Sequence, residues 1–140
     1  MNYSRIALAA IGGTVAYFLT GFLFFALLPS LRSEFAQYPA VYRGQEDIKR
    51  VMPAGMLAMF ISIAALAVIY ALLYRGGLRI AEGARFGALI GVFSVGAFVF
   101  HKYVNLNIGL KLTLQQATVY FIEWTIVGAV IGLLYKPAAP

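Results

Sequence analysis

The chain has 140 residues, of which 62% are hydrophobic and only 11% charged, with a net charge of +6. A soluble domain carries roughly 45–50% apolar and about 25% charged residues, and a core this small cannot hide such an excess, so the apolar surface must face lipid. The chain has no cysteine, which excludes disulfides, thiol nucleophiles and Cys-ligated zinc, and its Lys and Arg fall in short polar connections, where they point to anionic lipid headgroups and not to nucleic acid.

Arg5 precedes the first apolar run, which is free of charge from Ile6 to Leu31. That is longer than the core of a secretory signal, and no small-x-small cleavage pattern follows, so a retained membrane helix is expected over 6–28, closed by Pro29. Residues 30–53 form the one sizeable polar connection. Phe35, Tyr38, Val41, Tyr42 and Ile48 punctuate its charges, which predicts a loop lying on the membrane surface. Its run Arg43-Gly44-Gln45-Glu46-Asp47 reads as a solvated turn leading into a helix.

Further helices are expected over 54–74, 84–103 and 114–135, the last closed by Pro137. About 20 residues at 1.5 Å per residue cross ~30 Å of hydrocarbon, and the third block meets this only if Arg85 and Lys102 extend toward opposite headgroup layers. Tyr38, Tyr42, Tyr70, Tyr74, Tyr103 and Tyr135 fall near the expected interfaces. The fold class is therefore all-α: a single polytopic domain of four transmembrane helices spanning 1–140, placed in a cell membrane. Lys and Arg divide almost evenly between the two sides, although the crowding of Arg75, Arg79 and Arg85 around one compact loop favours a cytoplasmic N-terminus.

Small residues recur at helical spacing: Ala9, Gly13 and Gly21; Ala54, Ala58, Ser62 and Ala65; Gly83, Gly87 and Gly91; Gly128 and Gly132. In lipid such stripes let backbones approach, and packing within the chain is the expected use. An offset of 75 residues places Gly12 on Gly87 and Gly21 on Gly96, and an offset of 61 places Leu72-Leu73-Tyr74-Arg75 on Leu133-Leu134-Tyr135-Lys136 and Ser62 on Glu123. These matches suggest two parallel two-helix repeats, an arrangement that in transporters puts sites at the repeat interface.

Glu123 is the acid inside an apolar block, near the expected midplane. An ionised carboxylate there is costly, so it must be protonated, paired or in contact with water. Tyr17, Thr20, Ser62 and Ser94 fall at similar depth, Gln116 and Tyr120 share its helix face at i, i+4 and i+7, and His101 should lie near the level of Gln116. Two readings follow. Glu123, Tyr120, Gln116, Ser94, Ser62 and His101 form a polar track for a proton or cation, or Glu123 is a neutral acid hydrogen-bonded to Ser62, Ser94 or a carbonyl to hold the helices in register. No catalytic, cofactor or metal site is expected, because His101 is the one histidine, and the glycines near Arg75 and Glu82 lack the Lys-Ser/Thr of a phosphate loop.

The stretches Glu82-Gly83-Ala84-Arg85-Phe86-Gly87, His101 to Asn107, Glu123-Trp124 and Tyr135-Lys136-Pro137 together resemble a family of small bacterial four-helix membrane proteins known as a domain of unknown function. The resemblance implies the fold and a multi-pass location in the inner membrane of a bacterium, but no activity. Small multidrug resistance transporters are similar in size and use a membrane-embedded glutamate in their first helix, where this chain has none. The expected function is a non-catalytic accessory or scaffolding subunit, associated with lipids and with other membrane subunits or its own copies. The alternative is a small proton- or cation-coupled transporter using Glu123.

Overall fold

The computed structural model describes residues 1–137, and among them the secondary structure is entirely helical. Helix α1 spans Tyr3–Leu27, α2 Pro29–Ala36, α3 Gln45–Leu73 and α4 Arg79–Ser94. A π-helical stretch Val95–Phe100 continues α4 directly into α5, His101–Asn105, and α6 spans Leu110–Leu134. Four helical rods (α1, α3, the continuous Arg79–Asn105 and α6) contain 25 to 29 residues each and are apolar enough to cross a membrane. At 1.5 Å per residue they are ~37–44 Å long, enough for the hydrocarbon and part of each headgroup layer. The chain is an all-α polytopic membrane protein.

Each rod is longer than its apolar block, for a local reason. Helix α3 starts at Gln45 and runs through Pro53, so residues 45–53, read from sequence as loop, are its first turns. Gly44 caps them in an extended conformation, Glu46 and Asp47 sit in the first turn, and Lys49 pairs with Glu46 at 2.6 Å. Acids at a helix N-terminus suit its dipole. Proline frees one carbonyl in these polar turns, where water or headgroups can satisfy it. Helix α6 likewise starts at Leu110, not at Leu114, because its polar first turns are covered: Leu112, Thr113 and Gln116 are all buried. The third rod gains length at both ends, which removes the need for Arg85 and Lys102 to bracket a short span.

Pro29 occupies the first turn of α2, where its fixed φ and missing N–H cost nothing, and the chain turns over at Leu28. Helix α2 and the segment behind it pack on the start of α6. Lys111 Nζ donates to Glu34 at 2.5 Å, Gln115 Nε2 reaches Ser30 at 3.4 Å, and the Gly109 amide donates to the Tyr38 hydroxyl at 2.8 Å. On the opposite side of the membrane Tyr70 donates to the Arg79 carbonyl at 3.2 Å and packs with Tyr74, Phe86 and Tyr135.

Helix α6 is the hub. It packs along α4, along α1 and under α2, while α3 leans on α1 and barely reaches α6. The rods therefore lie in an arc, α3–α1–α6–α4, rather than in a closed ring. Between α4 and α6 the expected glycine stripes meet. A Cβ on Gly87 would overlap the Trp124 carbonyl oxygen, and one on Gly83 the Gly128 carbonyl oxygen, so the two backbones touch. The stripe on α3 does otherwise: Ala54, Ala58, Ser62 and Ala65 face outward, and Ile63, Ala67 and Tyr70 are buried in their place. Helix α1 presents Gly13 as a hole, into which the Ile63 side chain fits. A hole takes a knob, and small residues facing it would leave a void.

The two hairpins, α1/α3 and α4/α6, run in the same direction, but positions matched by the offsets differ in environment. Gly21 lies against Glu123, whereas a side chain at Gly96 would meet nothing within 4 Å. Glu123 is buried and Ser62 exposed. Gly12 faces Leu134 and Val130 on α6, outside its own hairpin. The repeat suggested by sequence does not extend to matched packing.

Candidate functional site

The face of α6 that meets α1 carries Gln116, Tyr120 and Glu123. Gln116 and Glu123 are buried at 6% and 3% exposure, and Tyr120 is half-buried. Room for the carboxyl comes from Gly21 of α1, where a Cβ would stand 2.8 Å from Glu123 Oε1. One turn earlier on α1, Tyr17 packs its ring on Trp124 at 5.5 Å. Tyr17, Tyr120 and Glu123 lie within electrostatic reach of one another.

Glu123 is next to the midpoint of α6, but its carboxyl is shallower than a midplane position. Gly21 stands six residues before the end of α1, which is ~9 Å at 1.5 Å per residue. Two features cause this. Helical side chains lean toward the N-terminus, here the α2 side, and the first turns of α6 rise beyond the end of α1, since Gln115 is level with Ser30.

Above the carboxyl, Gln116 Nε2 donates to the Tyr42 hydroxyl at 3.2 Å, and Tyr42 is also within reach of Tyr120. Gln116, Tyr120 and Glu123 share one face of α6 at i, i+4 and i+7, and Tyr42 covers that face on the α2 side. Sequence reading placed Tyr42 only as an interfacial aromatic. The signal that could have added it was the polarity of its segment, but a loop residue has no periodicity to show which helix it will cover. Among the described residues no protein group hydrogen-bonds the Glu123 carboxyl.

The other expected members lie elsewhere. Ser62 is exposed and its hydroxyl donates to the Ala58 carbonyl at 2.9 Å, a local bond that removes its need for a distant partner. Ser94 is buried at 3% exposure, on the far side of Tyr120, and His101 is exposed at the end of the π-helical stretch, joining neither group. The predicted bond from Ser62 or Ser94 to Glu123 is not formed. Ser62 and Ser94 instead line a second feature, a cleft of about 590 Å³ between α3 and the third rod. Met59 and Leu66 form one wall, Phe93, Phe98 and Lys102 the other, and Tyr17, Tyr120 and Trp124 the floor. The π-helical stretch forms part of that wall; such stretches widen a helix and re-aim the residues after it. The Trp124 Nε1–H in the floor is buried without a partner.

Chemically, the inner site offers one carboxyl, three phenols and an amide. Among the described residues no three metal-ligating side chains converge. No family model matches the chain, and no curated protein or solved structure matches it.

Proposed function

We propose that this protein is a non-catalytic component of a larger membrane assembly, docking to other membrane-protein subunits through the outward face of α3 and the cleft beside it. The observation that carries this reading is the unused small-residue stripe Ala54–Ala58–Ser62–Ala65. Its counterparts on α4 and α6 are consumed in backbone contact, whereas this one is exposed throughout and reaches the open cleft at Ser62. A partner helix gains dispersion contact on such a face, which lipid tails satisfy less well. The same reading sets the chain in a cell membrane, and the resemblance of its sequence to small bacterial four-helix proteins of unknown function favours the inner membrane of a bacterium. Lipids are its other partners and nucleic acid is not one.

The test is purification in mild detergent from the native membrane, followed by intact-complex mass determination. Stoichiometric larger subunits, lost on Ala58→Leu, support the reading. A homo-oligomer lost on the same substitution makes the partner a second copy, and a lone monomer sinks the proposal.

One observation favours a second reading, a small proton- or cation-coupled carrier: the unpartnered Glu123 carboxyl, ~9 Å inside the end of α1, beneath Tyr42 and Gln116. Flux into proteoliposomes that is abolished by Glu123→Gln supports it. Identical flux in the two proteins removes it.

A further inference from the structure

A second cavity, about 640 Å³, lies on the α2 side where the end of α1, helix α2 and the start of α3 come together. It shares no lining residue with the cleft and meets the Glu123 site only at Tyr42. Its walls divide by chemistry. Phe25, Phe35 and Ile48 make an apolar interior, with Phe35 packed edge-on to Tyr42 at 4.7 Å and near Phe25 at 6.2 Å. Arg32 and Arg43 stand at the cavity from two different segments.

Neither arginine is neutralised. Among the described residues the ion pairs are Lys49–Glu46 and Lys111–Glu34. Glu46 and Glu34 are thus engaged by lysines, Asp47 in the first turn of α3 is within ion-pair distance of neither arginine, and both guanidinium groups remain available. Phe25 is two residues from the end of α1, which sets the apolar interior at the level where acyl chains meet headgroups. Two arginines lining an apolar, aromatic pocket at that depth complement one kind of molecule, an anionic amphiphile whose charge is matched by planar bidentate donors.

We propose that this cavity binds one anionic phospholipid, its phosphate held by Arg32 and Arg43 and an acyl chain lying along Phe25, Phe35 and Ile48. The site goes beyond general contact with lipid because it is a concave pocket with a defined charge. Tyr42 lines it and also accepts the Gln116 hydrogen bond, so an occupant would brace the segment that covers the Glu123 face.

The experiment equilibrates purified protein in detergent with phosphatidylglycerol and phosphatidylcholine of matched chain length and counts retained lipid by intact-complex mass determination. One phosphatidylglycerol per chain is expected, and little phosphatidylcholine. Arg32→Gln and Arg43→Gln should each weaken retention about fivefold, the ratio expected for one basic residue at an anionic surface. Arg50→Gln, which removes the same charge from an exposed position outside the cavity, should leave retention unchanged. Equal retention of the two lipids overturns the proposal and needs no variant to fold. So does an Arg50→Gln loss as large as that of Arg32→Gln, which would mean diffuse charge attraction. Displacement of the lipid by inorganic phosphate at comparable concentration would reduce the pocket to an ion site and overturn the acyl-chain part.

Discussion

The seam between α4 and α6 and the cleft between α4 and α3 lie on two sides of one rod. In the seam, glycines spaced four apart on both helices bring backbone onto backbone, and side chains at Gly83 or Gly87 would collide with carbonyl oxygens. On α3 the same kind of spacing, on Ala54, Ala58, Ser62 and Ala65, meets no helix, and only Ser62 stands at the cleft. The difference shows that a small-residue stripe specifies close approach only when the facing surface is equally shallow. Helix α3 found its place through a knob, Ile63 in the hole at Gly13, and its shallow face was left over. In lipid, where apolar surface alone does not drive association, such a leftover face costs nothing until a partner fills it.

That comparison can be broken most directly at the seam. Gly87→Leu must force α4 and α6 apart, because its neighbours are backbone atoms that cannot rotate away. A loss of ~3 kcal/mol is expected in unfolding by SDS titration, at the upper end for overpacking. A loss under about 1 kcal/mol would mean that the seam is not as close as described. The opposite sign is expected between the two regions. Glu123→Met removes a buried carboxyl that has no protein partner and should stabilise the fold by roughly 1–2 kcal/mol. Destabilisation in the same titration would show that the acid does hold a hydrogen bond.

On α3 the effects shrink. Gly55→Ala places a methyl group where nothing lies within 4 Å and should add about 0.5 kcal/mol through helix propensity alone. Ala58→Leu, on the outward face, should change stability by less than about 0.5 kcal/mol. Its effect is expected instead in co-purification, where the proposed partner subunit should be lost. A large stability loss there would place Ala58 in the core and remove the comparison's second half.

Much of the site was legible from spacing. Gln116, Tyr120 and Glu123 share one face because 3.6 residues make a turn, and an acid within an apolar block is conspicuous whatever surrounds it. The serines were placed wrongly because depth along a helix says nothing about azimuth relative to a helix not yet docked, and because Ser62 satisfies itself on its own helix. His101 failed for the same reason, and the π-helical stretch before it adds a rotation that no count at 3.6 per turn anticipates. Tyr42 was beyond reach, since the register of a loop over a helix depends on contacts such as Lys111–Glu34 and Gly109–Tyr38.

By itself the sequence determined that the chain crosses a membrane as four helices, that Glu123 lies inside an apolar block, and which small residues share a face of each helix, because hydropathy and periodicity are local properties written along each segment. Tertiary structure alone decided that α6 is the hub, that the rods form an open arc, and that the α3 stripe faces outward. It also decided that two unpaired arginines share one apolar cavity. These are outcomes of how knobs and holes on different helices compete for the same neighbours, and a competition between surfaces is not recorded on any one of them.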